Sequence, residues 1–334
     1  MKVAVFSAHR FEQDHLTNAN AGRHELLFLD ARLTESTCLL ATGCRAVSLF
    51  VNDSARQEVL PRLQALGIEF LALRSSGFNH VDLPLAWQYQ MRVARVSAYS
   101  PYAVAEHAVA MMLALNRKLI RAHQRVMASN FSLDGLVGFD MHGKTVGIVG
   151  TGQIGAVVVK ILHGFGCRLL AYDPAPNAAL VAQYGLRYTS LDEICQSADI
   201  ITLHLPLRAE TKHLIDKNRL AQMKPGVMLI NTSRGGLVHT HDLVAALKTS
   251  RVGSVGLDVY EEEAGLFFED RSDEVLLDDV IARLMTFKNV LITAHQAFLT
   301  ETALQNIAAA TIENLTCFEE GRPCENELLA DAKF

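Results

Sequence analysis

No apolar run in this chain of 334 residues approaches the ~20 needed to span a bilayer as a helix. The opening MKVAVFSAHRF goes directly into a strand-like run with charged residues, so no signal-peptide core is expected there. Six cysteines (Cys38, Cys44, Cys167, Cys195, Cys317, Cys324) are scattered without a C-x-x-C pair. That argues against a disulfide scaffold or a zinc site and for reduced, structural thiols in a cytoplasmic protein, with no metal expected. Neither charge is in excess: 31 basic and 36 acidic residues leave a formal net charge of −5, which gives no reason to expect nucleic acid or an acidic membrane surface as partner. There is no internal repeat or low-complexity tract. What is present is ordinary for an α/β protein: half of the residues are hydrophobic and a fifth are charged, and the length suffices for two domains with separate cores.

The most specific local pattern lies mid-chain. KTVGIVG (144–150) reads as a buried strand, AVVVKILHGFG (156–166) as a helix ending at glycine, and RLLAYD (168–173) as the next strand. Between the first two stand Gly150, Gly152 and Gly155, and Asp173 follows the last of them by 18 residues. The first glycine permits a tight turn, the second lets the backbone approach a pyrophosphate, and the third lets helix pack on strand. The helix start then offers free N–H groups to phosphate. A carboxylate at Asp173 takes both ribose hydroxyls and repels a 2′-phosphate, so the expected cofactor is NAD rather than NADP.

Short strands alternate with helices on either side. Before the glycines, 2–7, 25–30, 46–51, 70–75 and 91–96 read as strands, with a helix over 54–67. After Asp173, 198–207, 227–233, 252–259 and 289–296 read as strands. Such alternation implies parallel sheets with helical crossovers. A long helix is predicted over 100–126, with Ser100 as N-cap and Pro101 at its first position. Its first half is apolar around most of its circumference, which predicts burial on nearly every face, between domains and into a subunit contact. A closing helix over 301–320 and the loop 322–328 are expected to pack back on the N-terminal unit.

Open α/β sheets bind ligands beyond the carboxyl ends of their strands. Three polar residues stand there: Arg234 in NTSRGG, Glu263 in GLDVYEEEAG and His295 in LITAHQAF. Reduction of a carbonyl by a nicotinamide needs a proton on oxygen, which a histidine can supply and reclaim. A carboxylate beside the ring favours imidazolium and fixes its orientation. A guanidinium grips a substrate carboxylate with two parallel hydrogen bonds. The three together make a complete site for a 2-keto acid. Each also has a plain structural reading: a satisfied histidine at a strand end, an arginine on a backbone carbonyl, a glutamate in a solvated loop. From residue types and spacing both readings stand.

The chain resembles the D-2-hydroxyacid dehydrogenases, in particular their fermentative D-lactate dehydrogenase branch. The likeness runs through FVNDSA (50–55), LRSSGFNHVDL (73–83), AYSPYAVAEHAVAMM (98–112), NFSLDGLVGFDMHGKTVGIVGTGQIG (130–155), LINTSRGGLV (229–238), GLDVYEEEAGLFFED (256–270) and NVLITAHQAFLTETAL (289–304). The resemblance implies that Arg234 binds the substrate carboxylate and that His295, paired with Glu263, is the acid/base. It places the amides around Ser76 and Gly77 on the same carboxylate, Tyr99 at the substrate end of the hinge, and Phe298 as an aromatic wall favouring a small side chain. This sequence departs from the family loop with Ser76 for alanine and His80 for asparagine. For NAD, it puts Gln153 and Ile154 with the three glycines at the pyrophosphate, Leu205 and Pro206 along the adenosine, and Thr232, with Ser233 beside it, and Asp258 toward the nicotinamide. A second reading of Asp258 is a polar residue tying loops together.

The architecture implied is a Rossmann NAD domain (101–298) inserted into a flavodoxin-like substrate domain (1–100 plus 299–334). The activity implied is reversible reduction of pyruvate to D-lactate in a cleft between the two, by a homodimer or homotetramer. Two rivals are a dehydrogenase of bulkier 2-keto acids and an NAD-sensing binding protein like the related corepressors, for which this chain shows no extension or disordered tail.

Overall fold

Apolar runs rich in valine, leucine and isoleucine form two sheets, parallel throughout. The structure, a computed structural model, describes residues 1–329. The chain divides into two compact units, one of Met1–Ser100 with the chain from Leu299 onward, the other Pro101–Phe298. The final residues of the expected substrate domain, 330–334, lie outside the described residues.

In the first unit, β1 (Lys2–Val5), β2 (Glu25–Phe28), β3 (Ala46–Leu49), β4 (Phe70–Leu73) and β5 (Arg92–Ala94) form a sheet of order β2-β1-β3-β4-β5, the flavodoxin-like order. β3 and β4 are buried at every position, as strands covered on both faces must be. Alternation of buried and exposed positions is absent for that reason. One face packs Val47, Leu49, Leu71 and Leu73, while the other packs Ala46, Phe70 and Ala72. The closing helix Glu301–Glu319 lies on the second of these faces, where Ile312, Leu315 and Phe318 join Val3 and Leu16. Phe318 stacks on Phe70 with ring centroids 4.7 Å apart. The loop after it returns to the sheet edge, with Glu327 bridging antiparallel to Ala94.

In the second unit, β6 (Thr145–Val149), β7 (Arg168–Tyr172), β8 (Arg187–Tyr188), β9 (Ile200–Leu203), β10 (Val227–Asn231), β11 (Val252–Leu257) and β12 (Val290–Ile292) are ordered β12-β11-β10-β9-β6-β7-β8. This is the doubly wound dinucleotide-binding order with one further strand. The order reverses at β6, whose neighbours are β7 and β9, so the crevice for a ligand opens where β6 ends.

Two predicted helices are corrected. The one over 54–67 is confined to Leu60–Ala65, because Pro61 has no N–H to donate and is accommodated only in a first turn. The one over 100–126 is two helices, Pro101–Asn116 and Leu119–Met127, with Lys118 left-handed between them at φ +51°. The break is fixed by the segment that follows. Asn116 donates from Nδ2 to the Phe139 carbonyl (2.7 Å) and accepts the Phe139 N–H (2.8 Å), and Lys118 Nζ donates to the Val137 carbonyl. The first helix also has one open face, where Tyr102, Glu106 and Ala110 follow each other at intervals of four.

Candidate active site

The glycine turn closes β6. Gly150 has φ +95°, and a Cβ there would lie 2.5 Å from the His204 carbonyl oxygen, so the close approach of β6 and β9 requires glycine at this position. A Cβ on Gly155 would lie 2.0 Å from the Gly150 carbonyl, whereas one on Gly152 would meet nothing within 4 Å. The second glycine therefore leaves open space above the start of the helix Gln153–Gly164. That helix begins three residues before the predicted 156, which makes Gln153 and Ile154 its first residues, whose N–H groups have no partner within the helix. Leu205 lies over the turn, its Cδ2 only 2.9 Å from the place of a Gly150 Cβ, and Pro206 is exposed beside it.

Asp173 follows β7 and holds the turn from the far side. Its Oδ2 accepts the Thr151 N–H (2.7 Å) and hydroxyl (3.1 Å), and its Oδ1 accepts the Ala175 N–H (2.8 Å). Just beyond the neighbouring strands, the buried Thr232 Oγ1 and His204 Nδ1 have no hydrogen-bond partner among the described residues. Buried polar groups are normally satisfied, so these orphans at the ends of β10 and β9 leave groups that a polar ligand could satisfy. The open glycine, the helix start, the acid and the orphaned hydroxyl of Thr232 fit a dinucleotide. Ser233, by contrast, donates its hydroxyl to the Leu203 carbonyl (2.9 Å). Burial drives the pKa of His204 down to about 4; it is neutral near pH 7. In the sequence, the one signal for this histidine is its place directly after β9.

Arg234 is presented by the turn after β10. The buried Asn231 side chain shapes that turn, accepting the Ser233 N–H (3.1 Å) and donating to the Arg234 carbonyl (2.8 Å). Gly235 is then required, since a Cβ there would lie 2.1 Å from the Tyr260 carbonyl. This contact lays the NTSRGG turn directly on the backbone that leads to Glu263. The half-buried guanidinium donates from Nη1 to the Ser233 carbonyl (2.7 Å), so the backbone-binding role is present and uses one of five N–H groups.

Glu263 and His295 meet. His295 Nδ1 lies 3.0 Å from Glu263 Oε1, with side chains 13% and 25% exposed. Glu263 Oε2 accepts the Tyr260 N–H at 3.2 Å. Burial pushes the Glu263 pKa up, but the His295 hydrogen bond and charge, the Tyr260 N–H and the Arg234 charge outweigh it and carry it below the ordinary glutamate value. An ionised carboxylate only accepts, so the proton of the pair is on Nδ1. Nε2 is then available for exchange with a substrate. Of the three consecutive glutamates only Glu262 is exposed; Glu261 is tied to His213 and to the Thr240 hydroxyl (3.1 Å). The solvated-loop reading of Glu263 is thereby corrected.

The segment carrying His295 hangs on Asp258, which is 0% exposed. Asp258 Oδ1 accepts the Thr293 hydroxyl (2.6 Å) and the Gln296 N–H (2.8 Å), and Oδ2 accepts the Ala297 N–H (2.9 Å). These contacts match the loop-tying reading of Asp258.

In the first unit, Ser76 and Gly77 follow β4 and are half-buried. The Ser76 hydroxyl points to the Ser97 carbonyl (3.4 Å), and its own carbonyl accepts Arg95 Nη1 (3.2 Å). The loop is anchored by Arg74, a residue whose role the sequence did not reveal. Arg74 is buried and grips Glu12 with two bonds, Nε to Oε2 at 3.0 Å and Nη2 to Oε1 at 3.1 Å. Nη1 donates to Ser48 (3.0 Å). Tyr99 is half-buried in this unit, its carbonyl accepting Asn306 Nδ2 (2.6 Å), and Phe298 is half-buried at the end of the other. Among the described residues no cluster of three or more His, Cys, Asp or Glu could hold a metal, and no helix is long and apolar enough to cross a membrane.

Known proteins resemble this chain in sequence and fold. The NAD binding domain of the D-isomer specific 2-hydroxyacid dehydrogenases matches residues 109–297. The D-lactate dehydrogenase of Escherichia coli (strain K12) is 48% identical over 330 residues, covering 98% of this chain and 100% of that one. The solved structure of the pyruvate reductase of Chlamydomonas reinhardtii superposes with a TM-score of 0.92 at 43% identity, over 98% of each chain. The D-lactate dehydrogenase of Aquifex aeolicus, solved with NAD and lactic acid, gives a TM-score of 0.85 at 33% identity over 96% of each chain. Matched by relatives over nearly its whole length, and by the family's NAD-binding domain across the segment that holds Gly150, Arg234, Glu263 and His295, the chain belongs to the D-isomer specific 2-hydroxyacid dehydrogenase family.

Proposed function

We propose that this dehydrogenase reduces pyruvate to D-lactate, reversibly, with His295 as acid/base, Glu263 as its partner and Arg234 as the substrate clamp. The observation that carries this reading is the 3.0 Å contact of His295 Nδ1 with Glu263 beside a guanidinium that still has N–H groups to offer. NADH, when bound, supplies hydride to the keto carbon. Arg234 holds the substrate carboxylate through a two-bond fork, which orients the adjacent carbonyl. His295 Nε2 donates its proton to the keto oxygen as that oxygen gains charge, and the Glu263 carboxylate stabilises the imidazolium beforehand. In lactate oxidation the same nitrogen takes the proton back. The amides of Ser76 and Gly77 add donors to the carboxylate, Tyr99 and Phe298 bound the substrate side chain, and Asp173 selects NAD. Gln153 and Ile154 hold the pyrophosphate, Leu205 and Pro206 flank the adenosine, and Thr232, Ser233 and Asp258 line the nicotinamide end. The relatives named D-lactate dehydrogenase and pyruvate reductase, and the lactic acid bound in one of them, support the choice of substrate.

The test is NADH oxidation with pyruvate beside phenylpyruvate and 2-ketoisocaproate. Pyruvate should have the highest kcat/KM; faster turnover of either bulkier acid would overturn the preference, and no turnover of any would overturn the activity.

Two further parts of the reading concern the whole protein. A second copy of the chain covers the segment after the broken helix, where Phe131, Leu133 and Val137 are 73%, 78% and 83% exposed and continue the exposed Leu119, Ile120 and Met127. Contiguous apolar surface of this kind marks an interface, here one of a homodimer or a homotetramer. The protein works in the cytoplasm, a placing supported by six cysteines that are all free thiols.

A further inference from the structure

We infer that His107 is a positioning residue for His295, acting through Thr293 and Asp258. The inference rests on the reading of His295 as the acid/base group. His295 sits in an unusual stretch of backbone: Ala294 and His295 both have positive φ, +49° and +61°. Neither is glycine, and left-handed L-residues each cost on the order of 1–2 kcal/mol. Such a turn persists only where its surroundings hold it. Asp258 does the holding, since its carbonyl accepts the His295 N–H at 2.5 Å and its carboxylate binds the residues on either side, Thr293, Gln296 and Ala297.

The Thr293 hydroxyl has one proton, and the 2.6 Å bond to Asp258 Oδ1 uses it. Thr293 Oγ1 therefore has only lone pairs left to offer. His107 Nε2 lies 3.1 Å from that oxygen and 3.5 Å from Asp258 Oδ1. In this geometry Nε2 carries a proton and donates it to Thr293 Oγ1. His107 is thus the outer link of a chain, from its Nε2–H through the Thr293 hydroxyl to the buried carboxylate that fixes the His295 backbone. It comes from the helix Pro101–Asn116, which packs on β10 and β11, so the link ties the acid/base loop to a rigid element. Loss of the donor leaves Thr293 half-satisfied and frees the loop to shift, and small misplacement of a catalytic group is costly in rate.

Four variants test this, assayed by stopped-flow reduction of pyruvate with NADH and with NADH deuterated at the transferred C4 position. His107→Leu should lower kcat about tenfold, the cost of one lost hydrogen bond in a buried network. Its KM for NADH should stay near that of the parent, and its deuterium isotope effect should rise as hydride transfer becomes limiting. His107→Gln, which keeps an N–H at the Nε2 position, should restore kcat to within about threefold. Thr293→Val should reproduce the leucine variant, and His107→Leu/Thr293→Val should be no worse than either alone, as expected of links in one chain. An unchanged kcat and isotope effect in His107→Leu would overturn the role, as would a glutamine variant as impaired as the leucine one, or additive losses in the double variant. Should His107→Leu fail to fold, Thr293→Val carries the same comparison. An inactive parent enzyme or an active His295→Gln variant would instead sink the reading of the site itself.

Discussion

His295 is useful because one of its nitrogens is committed and the other is not. Glu263 holds Nδ1 at 3.0 Å, which leaves Nε2 for the proton transfer we propose. His295→Gln should lower kcat by a factor on the order of 10²–10⁴, the usual worth of a positioned acid/base, while NADH binding measured by fluorescence stays near that of the parent. The Glu263 pKa lies below its ordinary value, so the sign of the linkage is settled. The stability that the ionised carboxylate contributes is present above the ordinary glutamate range and is lost as pH falls through the lowered value. Glu263→Gln removes the charge at every pH and should lower kcat for pyruvate reduction by about tenfold or more; an unchanged kcat would deny Glu263 its part. Arg234→Lys keeps a charge without the fork and should raise the KM for pyruvate sharply with a smaller effect on NADH. The residue types of this triple were legible in the sequence as chemistry, and the His295–Glu263 pairing through the family resemblance, but the approach of Arg234 to the pair was not. That depends on Gly235, whose missing Cβ lets the NTSRGG turn rest on the Tyr260–Glu261 backbone.

At the scale of elements, the strands were legible because parallel strands buried on both faces appear as unbroken apolar runs. The glycine turn was legible because each glycine answers a separate steric demand. Helix ends were less so. The break at Lys118 is made by hydrogen bonds to Val137 and Phe139, and no local pattern before residue 118 encodes them. Arg74 was silent for a similar reason: its partner Glu12 lies on another element, and a buried ion pair has no sequence period. Glu12→Ala removes the carboxylate that Arg74 grips with two bonds, which should destabilise the protein by about 3–5 kcal/mol in urea unfolding. His204 makes a pH-dependent contribution of opposite origin. With a folded pKa of about 4 against an ordinary value near 6.5, the unfolded chain takes up a proton that the folded one refuses. Stability from this group is complete above about pH 6.5 and is lost as pH falls toward 4, about 2 kcal/mol of it between pH 7 and pH 5. Urea unfolding without NAD should show a shallower fall over that interval in His204→Gln than in the parent; equal slopes would exclude His204 as the source.

For the whole molecule, the central place of the glycine turn in the sequence follows from a chain that leaves its first sheet at Ser100 and returns to it at Leu299. The exposed apolar segment over 119–139 belongs to this scale too. If the proposed oligomer forms through this segment, the parent should sediment as an oligomer and Phe131→Asp with Val137→Asp as a monomer; a monomeric parent, or an unchanged sedimentation coefficient in the variant, would contradict that interface. Family membership and the geometry of the triple support the one reaction proposed, hydride to carbon and a proton from His295 to oxygen. The most direct test is chiral chromatography of the lactate formed from pyruvate and NADH, run with the parent enzyme and with His295→Gln. D-lactate alone from the parent, and almost none from the variant, is the result expected; L-lactate, a racemate, or full production by the variant would contradict it.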